Sequence, residues 1–201
     1  MWILTFTSQY WICTYASLGE SQSIGKLQEL CISDYPIMGA DQIRKSFANF
    51  GGVKRRFTPA GEWNGVRIID DYGHHPVEIE AVLKAARAMQ GDNRVIAVAQ
   101  PHRYSRLHDL FKDFSGCFHD ADIALIAPVY AAGEDPIEGA THEALVRAIA
   151  ENGHPDARAM DTLDTLPDTI RDIARPGDLI VCLGAGDITV HANALAGKLA
   201  G

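Results

Sequence analysis

Short apolar runs rich in valine and isoleucine alternate with amphipathic stretches through most of this chain. The apolar runs occupy residues 66–69, 94–99, 123–127 and 179–183, and a shorter one is predicted near 158–160. Runs of this type are typical of strands that are buried on both faces. The amphipathic stretches lie at about 76–90, 106–119, 141–152, 162–174 and 187–199. This alternation predicts an α/β fold of the doubly wound, Rossmann-like kind, with a mainly parallel sheet and helices on both faces.

Two polar clusters follow the first two of these strands, and each leads into a predicted helix. The first is Asp-Asp-Tyr-Gly-His-His-Pro at residues 70–76, and the second is Gln-Pro-His-Arg-Tyr-Ser-Arg at residues 100–106. In a parallel sheet both positions lie at the carboxyl edge, which is where ligands bind in this kind of sheet. The clusters hold two carboxylates, three histidines and two arginines. We therefore expect the main functional site at this edge.

The arginines of the second cluster indicate an anionic ligand. Arg103 and Arg106 stand near a predicted helix N-terminus, where the helix dipole gives a cation no advantage. A guanidinium binds a carboxylate or a phosphate through a paired fork, so gripping such a ligand is the better use of both side chains. His74 and His75 are adjacent and lack the i, i+4 spacing of helical zinc ligands, so the sequence does not predict a metal site.

Plainer interpretations of the other motifs stay open. An aspartate at a strand end commonly caps the next turn, and Lys54-Arg55-Arg56 is compatible with a solvated surface run. The glycines at 184 and 186 follow the last strand as in a dinucleotide fingerprint, but the third glycine is missing and the motif ends the fold. A nicotinamide-dependent oxidoreductase is an alternative that rests on this pattern alone. Residues 130–134 are predicted to be a loop with Glu134 near the rim of the site.

Composition excludes several classes of protein. A net charge of −8 over 201 residues argues against a nucleic-acid footprint, which needs clustered lysine and arginine. The four cysteines lie far apart and form no C-x-x-C pair, so neither a disulfide framework nor a zinc site is indicated. A reduced, cytoplasmic setting is expected, with small molecules or proteins as partners.

The first forty residues differ from the rest. Residues 1–16 are apolar and aromatic, but threonine, serine and glutamine interrupt them and the first basic residue is Lys26. This pattern fits neither a signal peptide nor a membrane span. We expect a strand-like or irregular lead-in over residues 1–38, for which an altered or non-native start is an alternative. A helix from about 40 to 49 and one domain over 39–201 are expected to follow.

The motifs together resemble the C-terminal domain of the Mur ligases. The similarity covers residues 40–201 and consists of five motifs in the family's order: Phe-x-Gly-Val-Lys-Arg-Arg-Phe, Asp-Asp-Tyr-Gly-His-His-Pro, Gln-Pro-His-Arg-Tyr-Ser-Arg, Tyr-Ala-Ala-Gly-Glu and Gly-Ala-Gly-Asp-Ile. The paired histidines and the Pro-His-Arg-Tyr-Ser-Arg run are most similar to the members that add L-alanine to UDP-N-acetylmuramate. Leu107 and His108 depart from the pattern, since threonine and arginine are expected there.

The resemblance implies roles for individual residues. It implies an ATP-dependent amide-forming ligase of peptidoglycan synthesis, in which this domain closes as a lid over the site. Arg56, Asp71 and Tyr72 are then expected on the nucleotide side. The L-alanine side is expected to consist of His74, His75, His102, Arg103 and Arg106.

The resemblance also implies domains that this chain does not contain. The family's UDP-binding domain and its central ATPase domain, with a P-loop and the ligands of Mg²⁺, have no counterpart in the sequence. We therefore expect ATP, Mg²⁺, UDP-N-acetylmuramate and the missing Mur domains as partners of the complete enzyme, no catalytic residue in this chain and no activity from it alone. A non-catalytic module that binds an amino acid or a nucleotide, or a remnant of a truncated gene, are alternatives.

Overall fold

The computed structural model describes residues 2–7, 10–15 and 55–201, and the chain divides into two compact units at residues 1–51 and 52–201. In the first unit, β1 (Trp2–Thr7) and β2 (Tyr10–Tyr15) form an antiparallel pair. The lead-in is therefore strand over these residues. The predicted helix at 40–49 lies outside the described residues, and the predicted domain boundary at residue 38 stays a prediction.

A six-stranded sheet forms the centre of the second unit, in the order β3-β4-β8-β5-β6-β7. Its strands are β3 (Thr58–Trp63), β4 (Val66–Asp71), β5 (Val95–Ala99), β6 (Ile123–Ile126), β7 (Ala157–Ala159) and β8 (Leu179–Leu183). Strands β4 to β8 pair in parallel, and only β3 runs antiparallel to its neighbour. The predicted mainly parallel sheet is confirmed.

The helices cover both faces of this sheet. They are α1 (Pro76–Gln90), α2 (Tyr104–Asp109), α3 (Phe111–Gly116), α4 (His142–Glu151), α5 (Leu166–Ile173) and α6 (Ile188–Ala200), with a 3₁₀ turn at Leu163–Thr165 before α5. Side chains alternate along β5, so Val95 and Ala97 join one apolar cluster while Ile96 and Val98 join the other. The first cluster packs under α1 to α4 and the second under α5 and α6. Two cores on one sheet confirm the predicted doubly wound architecture.

Three local features differ from the prediction. The helix predicted over 106–119 is two short helices, which are separated at Leu110. Strand β3 was not predicted; it joins β4 through Asn64 and Gly65, whose φ angles of 49° and 77° suit a tight hairpin. Strand β4 runs on to Asp71, so both aspartates belong to the strand and the loop begins at Tyr72.

Candidate functional site

Asp71, at the end of β4, holds two separate backbone segments together. It is 2% exposed. Its Oδ1 accepts from the N–H of Gly73 at 2.7 Å, and its Oδ2 accepts from the N–H of Phe57 at 2.7 Å. Burial raises the pKa of Asp71, while these two backbone hydrogen bonds oppose the rise. The carboxylate thus ties the segment before β3 to the loop after β4.

The segment before β3 brings two arginines to Tyr72. The guanidinium carbons of Arg55 and Arg56 lie 4.8 Å and 5.9 Å from the centroid of the Tyr72 ring. Tyr72 is 37% exposed, and the Arg56 side chain is 50% exposed. An exposed aromatic ring flanked by two cations suits a planar or anionic ligand group.

Arg55 also anchors this segment to the sheet. Its Nη2 donates to the carbonyl of Gly184 at 2.6 Å, and its Nε lies 3.6 Å from Oδ2 of Asp70. Asp70 is 3% exposed, and its Oδ2 also accepts from the hydroxyl of Thr189 at 2.6 Å. The left-handed φ of Arg55, 60°, is held by a hydrogen bond from the N–H of Tyr72 to its carbonyl. Arg55 therefore connects β4, β8 and α6 beneath Tyr72.

The two histidines after Tyr72 stand at the N-terminus of α1. His75 is the N-cap residue, and its Nδ1 accepts from the N–H of Val77 at 3.4 Å. Glu78 completes a capping box, because its Oε2 accepts from the N–H groups of His74 and His75 at 3.1 and 3.3 Å. Pro76 occupies the first helical turn, where the N–H that proline lacks would have no partner within the helix.

A row of aromatic rings crosses the carboxyl edge from β4 to β6. The Tyr72 and His74 centroids are 5.0 Å apart, and the His74 and His102 centroids are 5.9 Å apart, both edge-on. His102 then stacks on Tyr130 at 5.4 Å with an interplanar angle of 11°. The two polar clusters therefore meet, which confirms their predicted proximity.

The second cluster places its two arginines around His102. Arg103 is the residue before α2, with a left-handed φ of 73°, and its N–H donates to the carbonyl of Tyr130 at 2.8 Å. Arg106 Nη1 donates to the His102 carbonyl at 3.1 Å and lies 3.3 Å from His102 Nδ1. Burial lowers the pKa of His102, and Arg106, His74 and Arg103 lower it further. This half of the edge carries two guanidiniums, and its imidazole lies where burial and those cations disfavour the charged form.

Glu134 takes the place of a local cap for α2, and sequence reasoning missed this role. It accepts from the N–H of Ser105 at 3.0 Å and from the Ser105 hydroxyl at 2.8 Å. Its Oε1 lies 3.7 Å from Nη1 of Arg103. The hydrogen bonds from Ser105 lower the pKa of Glu134, and Arg103 adds to the effect. The only sequence signal was a carboxylate at the predicted rim.

Gln100 and the glycines after β8 pack between the start of α6 and the Tyr130 ring. Gln100 donates to Asp187 Oδ1 at 2.7 Å and accepts from the N–H of Ile188 at 3.2 Å, which fixes the start of α6. A Cβ on Gly186 would lie 2.7 Å from Cγ of Tyr130, so only glycine fits against that ring. An open cleft of about 310 Å³ lies beside Gln100 and Tyr130, and Asp161, Asp164, Asp187 and His191 line its acidic rim.

The described part of the chain contains neither a candidate metal-binding cluster nor a helix that could span a membrane. Among the residues that the structure describes, no group of three histidine, cysteine, aspartate or glutamate side chains could hold a metal ion. Within residues 2–7, 10–15 and 55–201, no helix is both long and apolar enough to cross a bilayer.

A known family model matches the part of the chain that forms this edge. The family model described as "Mur ligase, glutamate ligase domain" matches residues 55–186, which include both polar clusters and the glycines after β8. The chain belongs to the Mur ligase family. Its resemblance to the Mur ligase C-terminal domain is thereby confirmed.

A curated relative agrees with the Mur ligase assignment, and two solved structures share the fold. The UDP-N-acetylmuramate–L-alanine ligase of Hyphomonas neptunium is 64% identical over 167 residues, which are 80% of this chain and 35% of that protein. The crystal structure of the UDP-N-acetylmuramate–alanine ligase from Thermotoga maritima superposes with a TM-score of 0.65 at 21% identity, over 87% of this chain and 35% of that one. This likeness supports the fold.

The second solved structure is a domain assigned to a UDP-N-acetylmuramate:L-alanyl-γ-D-glutamyl-diaminopimelate ligase from Haemophilus ducreyi. It superposes with a TM-score of 0.54 at 27% identity and covers 72% of this chain and 99% of that one. The chain thus spans about a third of the length of its full-length curated relative from Hyphomonas, while it corresponds to nearly all of this single domain.

Proposed function

We propose that residues 55–201 are the amino-acid-binding domain of an ATP-dependent ligase that joins L-alanine to UDP-N-acetylmuramate in peptidoglycan precursor synthesis. One observation carries the proposal: a row of aromatic rings joins two chemically different halves of one sheet edge. One half has Arg56 and Tyr72, and the other has His102, Arg103 and Arg106. The naming of the Hyphomonas relative supports the choice of L-alanine.

The cationic half holds the amino acid. A carboxylate needs a cation with donors in a fork, which Arg103 and Arg106 supply. The amine needs a neighbour that can take a proton near neutral pH, which the histidines supply. His74 and His102 face this space, whereas His75 supports it from the N-cap of α1.

The aromatic half meets the nucleotide. Arg56 is exposed enough to reach an ATP phosphate, and Tyr72 offers a ring face beside it. Asp71 positions Arg56 and Tyr72 in this half, because its oxygens accept hydrogen bonds from the N–H groups of the adjacent residues Phe57 and Gly73. Mg²⁺ and the phosphate-binding lysine are supplied by the central domain of the complete enzyme, in the bacterial cytoplasm.

A domain exchange tests this function. Residues 55–201 replace the corresponding domain of the Hyphomonas relative, and the chimera receives ATP, Mg²⁺, UDP-N-acetylmuramate and L-alanine. We expect release of inorganic phosphate together with formation of the amide, while the same relative without any C-terminal domain and the 201-residue chain alone are both inactive. A folded chimera that makes no amide would contradict the proposal.

A further inference from the structure

The protonated nitrogen of His74 can be assigned from its neighbours. Its Nδ1 lies 2.9 Å from the main-chain carbonyl of Tyr72. A carbonyl oxygen only accepts, so Nδ1 must carry the hydrogen in this contact. In neutral His74 the lone pair is therefore on Nε2, and no hydrogen bond among the described residues uses that atom.

The neighbouring His102 has the opposite tautomer. Its Nδ1 lies 3.3 Å from Nη1 of Arg106, and a guanidinium only donates. His102 Nδ1 must therefore accept, which leaves the hydrogen on Nε2. Neutral His102 can donate to a ligand through Nε2 but cannot take a proton there.

We propose that His74 Nε2 is the base that removes a proton from the ammonium group of the bound amino acid, while His102 Nε2–H donates to its carboxylate. The inference rests on the ligase function proposed above, and it assigns proton removal and carboxylate binding to two different nitrogen atoms. An α-amino acid carries its two charged groups on one carbon, so a carboxylate held beside His102 brings the nitrogen towards His74, whose ring centroid lies 5.9 Å away.

Removal of this proton makes the amine a nucleophile. The ammonium N–H bond breaks, its electron pair stays on the amine nitrogen, and the proton moves to Nε2 of His74. The freed amine forms a bond to the carbonyl carbon of the acyl phosphate, which is made from the substrate carboxylate and ATP. The C–O bond to phosphate breaks, and inorganic phosphate leaves with that electron pair. The nitrogen then loses its second proton to the departing phosphate, which is released as hydrogen phosphate and leaves a neutral amide.

The charges around His74 fit this role. On α1, the Oε2 of Glu78 lies 3.5 Å from Nδ1, so a carboxylate faces the ring nitrogen that already carries the hydrogen. On the loop after β4, Tyr72 carries the guanidiniums of Arg55 and Arg56 on its ring. From the β5–α2 connection, His102 faces His74 with Arg103 and Arg106 behind it. Glu78 is thus the carboxylate in direct contact with His74, and the cations surround His102 instead.

The test compares three histidine variants of the chimera: His74→Gln, His102→Gln and, as a matched control, His108→Gln on the exposed side of α2. For His74→Gln we expect kcat with L-alanine to fall by about 100-fold or more, with a much smaller change in KM. The defect should shrink as pH rises towards the pKa of the alanine ammonium, because solvent then removes the proton. His102→Gln should instead raise KM for L-alanine, and His108→Gln should behave as the parent.

Each other outcome overturns the inference. A His74→Gln chimera that keeps the parent's kcat and pH profile shows that His74 is not the base. The same conclusion follows if kcat loses its dependence on low pH in the His102→Gln chimera and not in the His74→Gln chimera. Circular dichroism and a thermal melt establish that each variant is folded. An inactive parent chimera would remove the proposed function itself, and with it this inference, so the two failures are distinguishable.

Discussion

At the scale of single residues, the carboxylates of this edge work mainly on the protein's own backbone. Asp71 accepts from Phe57 and Gly73, and Glu134 accepts from Ser105. Such contacts fix the backbone beside Arg56 and Arg103, the exposed side chains that we propose for ligand contact, since Arg56 precedes Phe57 and Arg103 lies two residues before Ser105. A residue can therefore be essential to a site without facing its ligand.

Replacing Asp71 with Asn should lower the free energy of unfolding by about 1–3 kcal/mol, because one of its two acceptor oxygens becomes a donor that faces a buried N–H. Urea unfolding followed by tryptophan fluorescence measures this, with the exposed Asp92→Asn as control. Unchanged stability, together with a raised KM for ATP in the chimera, would identify Asp71 as a ligand contact instead.

Replacing Glu134 with Gln should weaken L-alanine use in the chimera. The change removes the charge that holds the start of α2 and Arg103, in the way that a helix cap is removed. We expect a rise of about fivefold in KM for L-alanine, with the KM for ATP unchanged. Glu138→Gln, an exposed carboxylate on the same loop, is the control; an equal effect in both variants would refute the capping role.

At the scale of elements, strand and helix periodicity predicted most of the sheet but not its edge or its breaks. Strand β3 contains Pro59 and Gly61 and lacks an apolar run, although the following Asn64-Gly65 is a recognised hairpin signal. The predicted helix over 106–119 stayed amphipathic through its break, because Leu107 and Phe114 both remain in the core on either side of Leu110.

The candidate site was predictable where topology alone decides it. Loops that follow parallel strands meet at one edge, so the proximity of His74 and His102 followed from the sequence. The hydrogen bond from Arg55 to Gly184 and the cap from Glu134 to Ser105 join residues 129 and 29 positions apart. Contacts at such separations depend on side-chain packing, which no local pattern encodes.

The start of α6 should tolerate no side chain at Gly186. In Gly186→Ala the new methyl group meets Tyr130 and Gln100, so the ring must leave its stack on His102. We expect a loss of about 1–3 kcal/mol in the free energy of unfolding. Gly197→Ala in the same helix is the matched control: its Cβ meets nothing within 4 Å, and it should stabilise the protein slightly. Equal melting temperatures for the two variants would contradict this packing.

At the scale of the whole molecule, the two apolar clusters that the described residues form both lie within the second unit, residues 52–201. The solved domain from Haemophilus ducreyi, of which this chain covers 99%, is a comparable unit. A chain that starts at Gly52 should therefore melt cooperatively, close to the melting temperature of the full chain. Differential scanning calorimetry of both forms measures this, and a loss of several kcal/mol on deletion would show that residues 1–51 belong to the core.

We propose that the carboxyl edge as a whole divides into a nucleotide half at β4 and an amino-acid half at β5 and β6. The most direct test of this division is the pair of KM values for L-alanine and ATP in the chimera with Arg106→Ala, with the exposed Lys112→Ala as control. Loss of a desolvated charge partner costs about 2–5 kcal/mol, so the KM for L-alanine should rise about 30-fold or more while that for ATP stays nearly constant. Equal changes in both KM values, or a change in the KM for ATP alone, would contradict this division of the edge.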